Sequence, residues 1–248
     1  MTNNIPNIRV LENMVGVATD LLKLALPEAE EGGQNRTAVG YAQQVQKIYL
    51  DFMAKAAERT DGGIEVLVNN ASRQLPVARQ IEANALYHIG RASYVQQQTL
   101  DEAAEGMLVK ACNKYQDAKD AFRQFDTSFN TPEEQGIKQR WLGQLYPRWA
   151  DSCLILGADA HKKGNIALTK PPTEIVTKDD VLKGLDFWDK ALQYYAEVFH
   201  ISEAARTIGT DLQSYVNQIR PRTDEIKQAA SSWARAISEP VRAVRYLT

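Results

Sequence analysis

Apolar residues recur at alternating spacings of four and three along nearly the whole chain. Ala104, Leu108, Ala111, Tyr115, Ala118, Phe122 and Phe125 form one such run, and Val181, Leu185, Trp188, Leu192, Tyr195 and Phe199 form another. That spacing places every member on one face of an α-helix, so each segment needs another helix to cover it. The pattern predicts an all-α chain, a bundle of about six to eight long antiparallel amphipathic helices. It is expected as one domain over 1–248, with a helical hairpin over 1–63, central hairpins over 64–162 and C-terminal helices over 178–240.

The first helix, from about Pro6 to Leu26, carries Ile8, Leu11, Val15, Ala18, Leu22 and Ala25 on one face. Met14, Val17, Leu21 and Leu24 lie beside that face, so the helix is expected to be touched on two sides. After the Gly32-Gly33 loop a second helix runs from about Thr37 to Arg59. Pro76 opens a third, and Thr99-Leu100-Asp101-Glu102 has the form of a capping box before the next. Thr131-Pro132-Glu133-Glu134 is a stronger start signal, with Thr at the cap, Pro at the first helical position and acidic residues at the positive dipole end. The helix it begins contains Pro147, where a kink is expected. Lys162 to Thr177, with Gly164 and Pro171-Pro172, is the one long irregular connection, expected to be exposed and to reach a partner. A further helix starts near Thr177. The stripe from Ile208 to Ile237 crosses Pro221 as either a kinked helix or two helices, and Val241 to Thr248 forms a short tail.

With 248 residues the chain is long enough to bury a core without disulfides or metals. Its 29 Lys and Arg against 31 Asp and Glu leave a net charge of -2, which gives no general attraction to nucleic acid or anionic membrane. From Arg220 onward six basic residues face three acidic ones, a pattern more typical of a solvated helix face than of a phosphate site. Cys112 and Cys153 lack CxxC spacing and suit buried thiols in a reducing cytoplasm, the expected location. Met1 to Ile8 lacks the basic start and apolar stretch of a secretory signal. No segment has the roughly 20 apolar residues of a membrane span.

Two stretches resemble tetratricopeptide helical hairpins, which place a large apolar residue and Gly in one helix and a small, aromatic, small triad in the next. Ile89-Gly90 is followed by Ala111, Tyr115 and Ala118, and Leu156-Gly157, with Gly164 seven further on, by Gly184, Trp188 and Ala191. The resemblance implies a solenoid of helical hairpins as the alternative architecture. The intervals here are longer than in a compact repeat, and its closing Pro is missing.

The three histidines are the natural places to look for a catalyst. His88 lies on the apolar stripe of its helix and suits a core or hairpin interface. Glu197 and His200 have the Glu-x-x-His spacing of di-iron bundles, yet Ala85 and Ala158 stand where His88 and His161 would need the second Glu. Asp159-Ala160-His161 has the makings of half a metal or acid/base site, or of a helix-end His favoured by the dipole. No Gly-x-Ser-x-Gly, Walker or dinucleotide-binding pattern is present, and no cofactor or metal is expected.

These features favour a non-enzymatic helical scaffold or adaptor acting through protein-protein contacts, with a protein partner or self-association and without nucleic acid. One alternative is a structural subunit of a self-assembling homomeric complex, such as a filament, shell or virion component. The other is a helical-bundle metal protein or enzyme. The candidate interface residues are Trp141, Trp149, Trp188 and Trp233, as large aromatic anchors, with Lys162, Lys163, Pro171 and Pro172 of the irregular connection.

Overall fold

The computed structural model describes residues 7–59, 62–169 and 175–247. The protein is an all-α helical bundle, 85% helical, with eight α-helices and no strands among the described residues. The helices are α1 (Ile8–Glu28), α2 (Asn35–Ala56), α3 (Ile64–Gln97), α4 (Glu102–Gln124), α5 (Pro132–Leu168), α6 (Lys178–Arg206), α7 (Gln213–Ala236) and α8 (Pro240–Arg245). They form two compact units, one of Met1–Ala92 with Gly106–Arg148, the other of Ser93–Glu105 with Trp149–Thr248. Helices α3, α4 and α5 each give residues to both.

In the first unit the a/d positions of three helices meet. Leu11, Val15 and Ala18 of α1 pack with Val45, Tyr49 and Phe52 of α2 and with Ala71, Leu75 and Ala78 of α3. A second layer is almost pure alanine: Ala25, Ala29, Ala38, Ala42 and Ala85 surround Ile81, which lets the helix backbones approach closely. The one wholly buried phenol of α2, Tyr49, donates to Gln74 Oε1 at 2.6 Å, so its hydroxyl is satisfied in the core. Between α1 and α2 the chain turns through Gly32 at φ +85°, and a Cβ at Gly33 would lie 2.6 Å from the Glu28 carbonyl oxygen.

The second unit is organised by an antiparallel seam between α5 and α6. A Cβ at Gly157 would sit 2.5 Å from Tyr195 Cε1, and one at Gly184 would sit 2.6 Å from Leu168 Cγ. Gly164 likewise receives the Trp188 ring with no room for a Cβ. Moving up α5 from Gly157 to Gly164 to Leu168 moves down α6 from Tyr195 to Trp188 to Gly184, in steps of the same size, as antiparallel register requires. Large rings thus fill holes left by glycines seven residues apart. Of the second stretch that resembles a tetratricopeptide hairpin, Gly164 meets Trp188 across this pair.

Several local expectations change. Gly164 does not end α5, because Trp188 packs on it, and the helix continues through Lys162 and Lys163 to Leu168. The irregular connection is therefore shorter than the sequence implied. Pro76 does not open α3 but lies inside it, its lost backbone bond offset by burial of Ala71, Leu75 and Ala78 on either side. Pro147 and Pro221 likewise lie within α5 and α7. The box at Thr99 does not form: α4 is capped by Asp101, whose Oδ1 accepts from the Ala104 amide at 2.7 Å. The box at Thr131 does form, with Glu134 N donating to Thr131 Oγ1 at 3.2 Å and Thr131 N to Glu134 Oε2 at 3.0 Å. So does that at Thr177 with Asp180.

The C-terminal tail is not loose. It forms α8, whose Arg242 and Arg245 reach Asp189 at 2.8 and 2.5 Å, while the Tyr246 hydroxyl donates to the same carboxylate at 2.6 Å. Two of the basic residues counted at this end are therefore neutralised by α6. Burial works against the Arg242 charge, but the hydrogen bonds to Asp186 and Tyr246 outweigh it and raise its pKa.

Candidate functional site

The outer face of α1 exposes a line of large apolar side chains. Val10, Met14, Val17, Leu21 and Leu24 follow the same four-three spacing as the core stripe next to them. Met14 and Leu21 lean partly onto the first unit's core. Val10, Val17 and Leu24, seven residues apart, stay 49, 54 and 55% exposed. Three aliphatic side chains on one line have the spacing of a coiled-coil seam. The sequence predicted that α1 is touched on two sides; among the described residues one of those sides is largely uncovered.

Of the candidate interface residues, Trp149 and Trp188 are each 4% exposed and serve the chain's own packing. The Trp188 indole donates to Asn165 Oδ1 at 3.0 Å, which satisfies its one polar atom. Trp141 and Trp233 are half-buried, on α5 and α7. Trp141 lies against the alanine layer of the first unit and borders a groove of about 370 Å³ with Val77, Phe129 and the 47%-exposed Ile137. Lys162 is exposed and donates to the Gln98 carbonyl at 3.0 Å. Pro171 and Pro172 lie outside the described residues.

Lys163 belongs to a partly buried charge chain on α5 rather than to a loop. Its ammonium reaches Asp159 Oδ2 at 2.7 Å and Glu105 Oε2 at 3.0 Å, and Glu105 also pairs with Lys190. Asp159, only 2% exposed, accepts the Leu100 amide at 2.8 Å through its other oxygen, so it holds the α3–α4 turn against α5. Burial works to lower the Lys163 pKa, but the hydrogen bonds to Asp159 and Glu105 outweigh it and raise it. Glu105 shows the converse: burial pushes up, and Lys190 and Lys163 hold it below the usual carboxylate range. Asp159 thus anchors the α3–α4 turn to α5.

A second polar cluster in this unit, between α3, α5, α6 and α7, has no signal in the sequence pattern. Tyr195 is fully buried, and its hydroxyl has no hydrogen-bond partner of good geometry among the described residues. Burial raises its pKa, opposed by the Arg222 guanidinium. Tyr94 is raised by burial and opposed by the same arginine. His161 is lowered, first by burial and then by Arg222, while Glu225 pulls the other way. Both phenols are thereby kept protonated, and imidazole is favoured over imidazolium. Helical spacing alone does not bring residues of four helices together, so only tertiary contact reveals the group.

His88, in the first unit, is lowered by burial and by Arg148, with Glu30 and Glu31 opposing, and its Nε2 has no hydrogen-bond partner among the described residues. His200 is exposed. Among the described residues no group of three or more His, Cys, Asp or Glu is placed to hold a metal ion. Cys153 is buried as expected, whereas Cys112 is only partly buried, and neither is in a disulfide. No described helix is long and apolar enough to cross a membrane.

No family model, curated protein or solved structure matches the chain.

Proposed function

We propose that the protein is a non-enzymatic helical scaffold that acts through protein-protein contacts, with the outer stripe of α1 as its docking face. The observation that supports this reading is the exposure of Val10, Val17 and Leu24 at heptad spacing. A partner helix laid along that line buries three aliphatic side chains that folding leaves in water. Each is worth on the order of 1 kcal/mol when covered from a half-exposed start. Heptad spacing selects a helix as the partner element, because knobs seven residues apart fit the holes of another helix.

Photo-crosslinking in cells of the source organism tests the reading. A photoreactive phenylalanine analogue at Leu24 should yield an adduct with a second polypeptide, and the same analogue at Glu12, elsewhere on α1, should not. Adducts at neither position, or equally at both, would overturn the assignment. The mass of the adduct tells a second copy of the chain from a different protein.

A further inference from the structure

The first unit carries a groove unrelated to the α1 stripe, walled by three helices that each present residues at i, i+3 or i+4, and i+7. It has a volume of about 740 Å³, within the range of small-molecule sites. Its apolar lining is Val39 from α2, Leu86 and Ile89 from α3, and Met107 from α4. Its polar lining is Arg36 and Gln43 from α2, Glu82 from α3, and Lys110 and Lys114 from α4.

The charges in that lining do not cancel. Glu82, 2% exposed, accepts from Gln43 Nε2 at 2.8 Å, from Gln46 Nε2 at 2.7 Å and from Lys114 Nζ at 3.1 Å. The Lys114 ammonium therefore compensates the one carboxylate. Arg36 and Lys110 make no side-chain hydrogen bond or ion pair among the described residues, although acidic residues outnumber basic ones in this chain. Two unmatched cations thus border an apolar trough. A buried carboxylate is costly in a helix packed for stability alone. Here it ties Gln43 and Lys114 into the groove wall and fixes the shape of the site.

We propose that this groove binds a small amphiphilic anion, a carboxylate or phosphate head on a hydrocarbon chain. The head sits between Arg36 and Lys110, and the chain lies on Val39, Leu86, Ile89 and Met107. Arg36 supplies the planar donor fork that fits either head group, and the flexible Met107 side chain adapts to chains of different length. A free anion has only the two cations to hold it, and a neutral chain only the apolar floor, so both parts are needed for binding.

Titration calorimetry with decyl phosphate below its micelle concentration tests the proposal, with inorganic phosphate and decyltrimethylammonium as comparisons. Decyl phosphate should bind saturably at one site, the other two should not, and added salt should weaken the binding. Arg36→Glu and Lys110→Glu, both at exposed positions, should each weaken it about tenfold, as expected for the loss of one charge-assisted contact. Met107→Ser should weaken it strongly with the cations intact. Unchanged thermal melts confirm that the variants fold. Absence of saturable binding, or binding indifferent to all three substitutions, would overturn the proposal. Decyl phosphate and decanoate distinguish the head group, and co-sedimentation with phosphatidic acid vesicles distinguishes a membrane-held lipid from the free anion expected here.

Discussion

The two units use a buried carboxylate differently. In the second, Asp159 is paired on both oxygens by the Leu100 amide and Lys163, and the charge chain runs on through Glu105 to Lys190. Every member is answered, and the result is closure of a turn onto a helix. In the first, Glu82 is answered just as fully, yet it lines an open groove beside two cations that are not. The same contrast appears in the apolar packing. Rings of α6 fill the glycine holes of α5, whereas α1 leaves a full heptad line uncovered. Helical spacing makes surfaces of equal quality in both places, and what separates them is whether the chain itself supplies the complement.

That comparison can be broken at four points, in order of effect. Trp188→Ala should cost about 3 to 5 kcal/mol by chemical denaturation, because it empties the hole over Gly164 in the closed unit. A much smaller loss would mean that the α5–α6 seam is not the second unit's core. Asp159→Ala should cost about 1 to 3 kcal/mol, the price of leaving the buried Leu100 amide without an acceptor. Hydrogen exchange should quicken at Leu100; if it does not, the anchor is misassigned.

Acidification supplies the third test. His88 and His161 both have folded pKa values below 6.5, so each binds fewer protons native than unfolded. Their contribution to stability is complete above pH 6.5 and is lost as pH falls through the window between 6.5 and the depressed folded values. Denaturation midpoints should drop across that window, and a His88→Gln/His161→Gln variant should flatten the slope. An unchanged slope would show that the two rings are solvated. The smallest effect belongs to α1: Val17→Ser should change stability by less than about 0.5 kcal/mol, as for a surface position. A loss of several times that would mean the stripe is already covered and is core.

Much of the architecture was legible because helices are local. The stripes, the box at Thr131, the helix start near Thr177 and the second apolar side of α1 all depend on residues within a turn or two of each other. Where a helix begins or ends proved less legible. Gly164, Pro76 and Thr99 each carry a breaking or capping propensity worth about 1 to 3 kcal/mol, and packing from distant segments outweighed it. The irregular connection was overextended for this reason, since the residue that keeps α5 helical at Gly164 is Trp188.

The sequence by itself determined that this chain is helical, which faces of the helices are apolar, and that α1 has more apolar surface than one neighbour covers. The tertiary structure alone decided which faces are covered. It placed Trp188 over Gly164, Asp159 under Leu100, Arg222 among Tyr94, Tyr195 and His161, and Arg36 and Lys110 beside Glu82. The physical reason is range: a stripe is fixed by backbone geometry over three or four residues. Closure, burial of charge and the residual opening depend on which distant helix arrives with the matching shape.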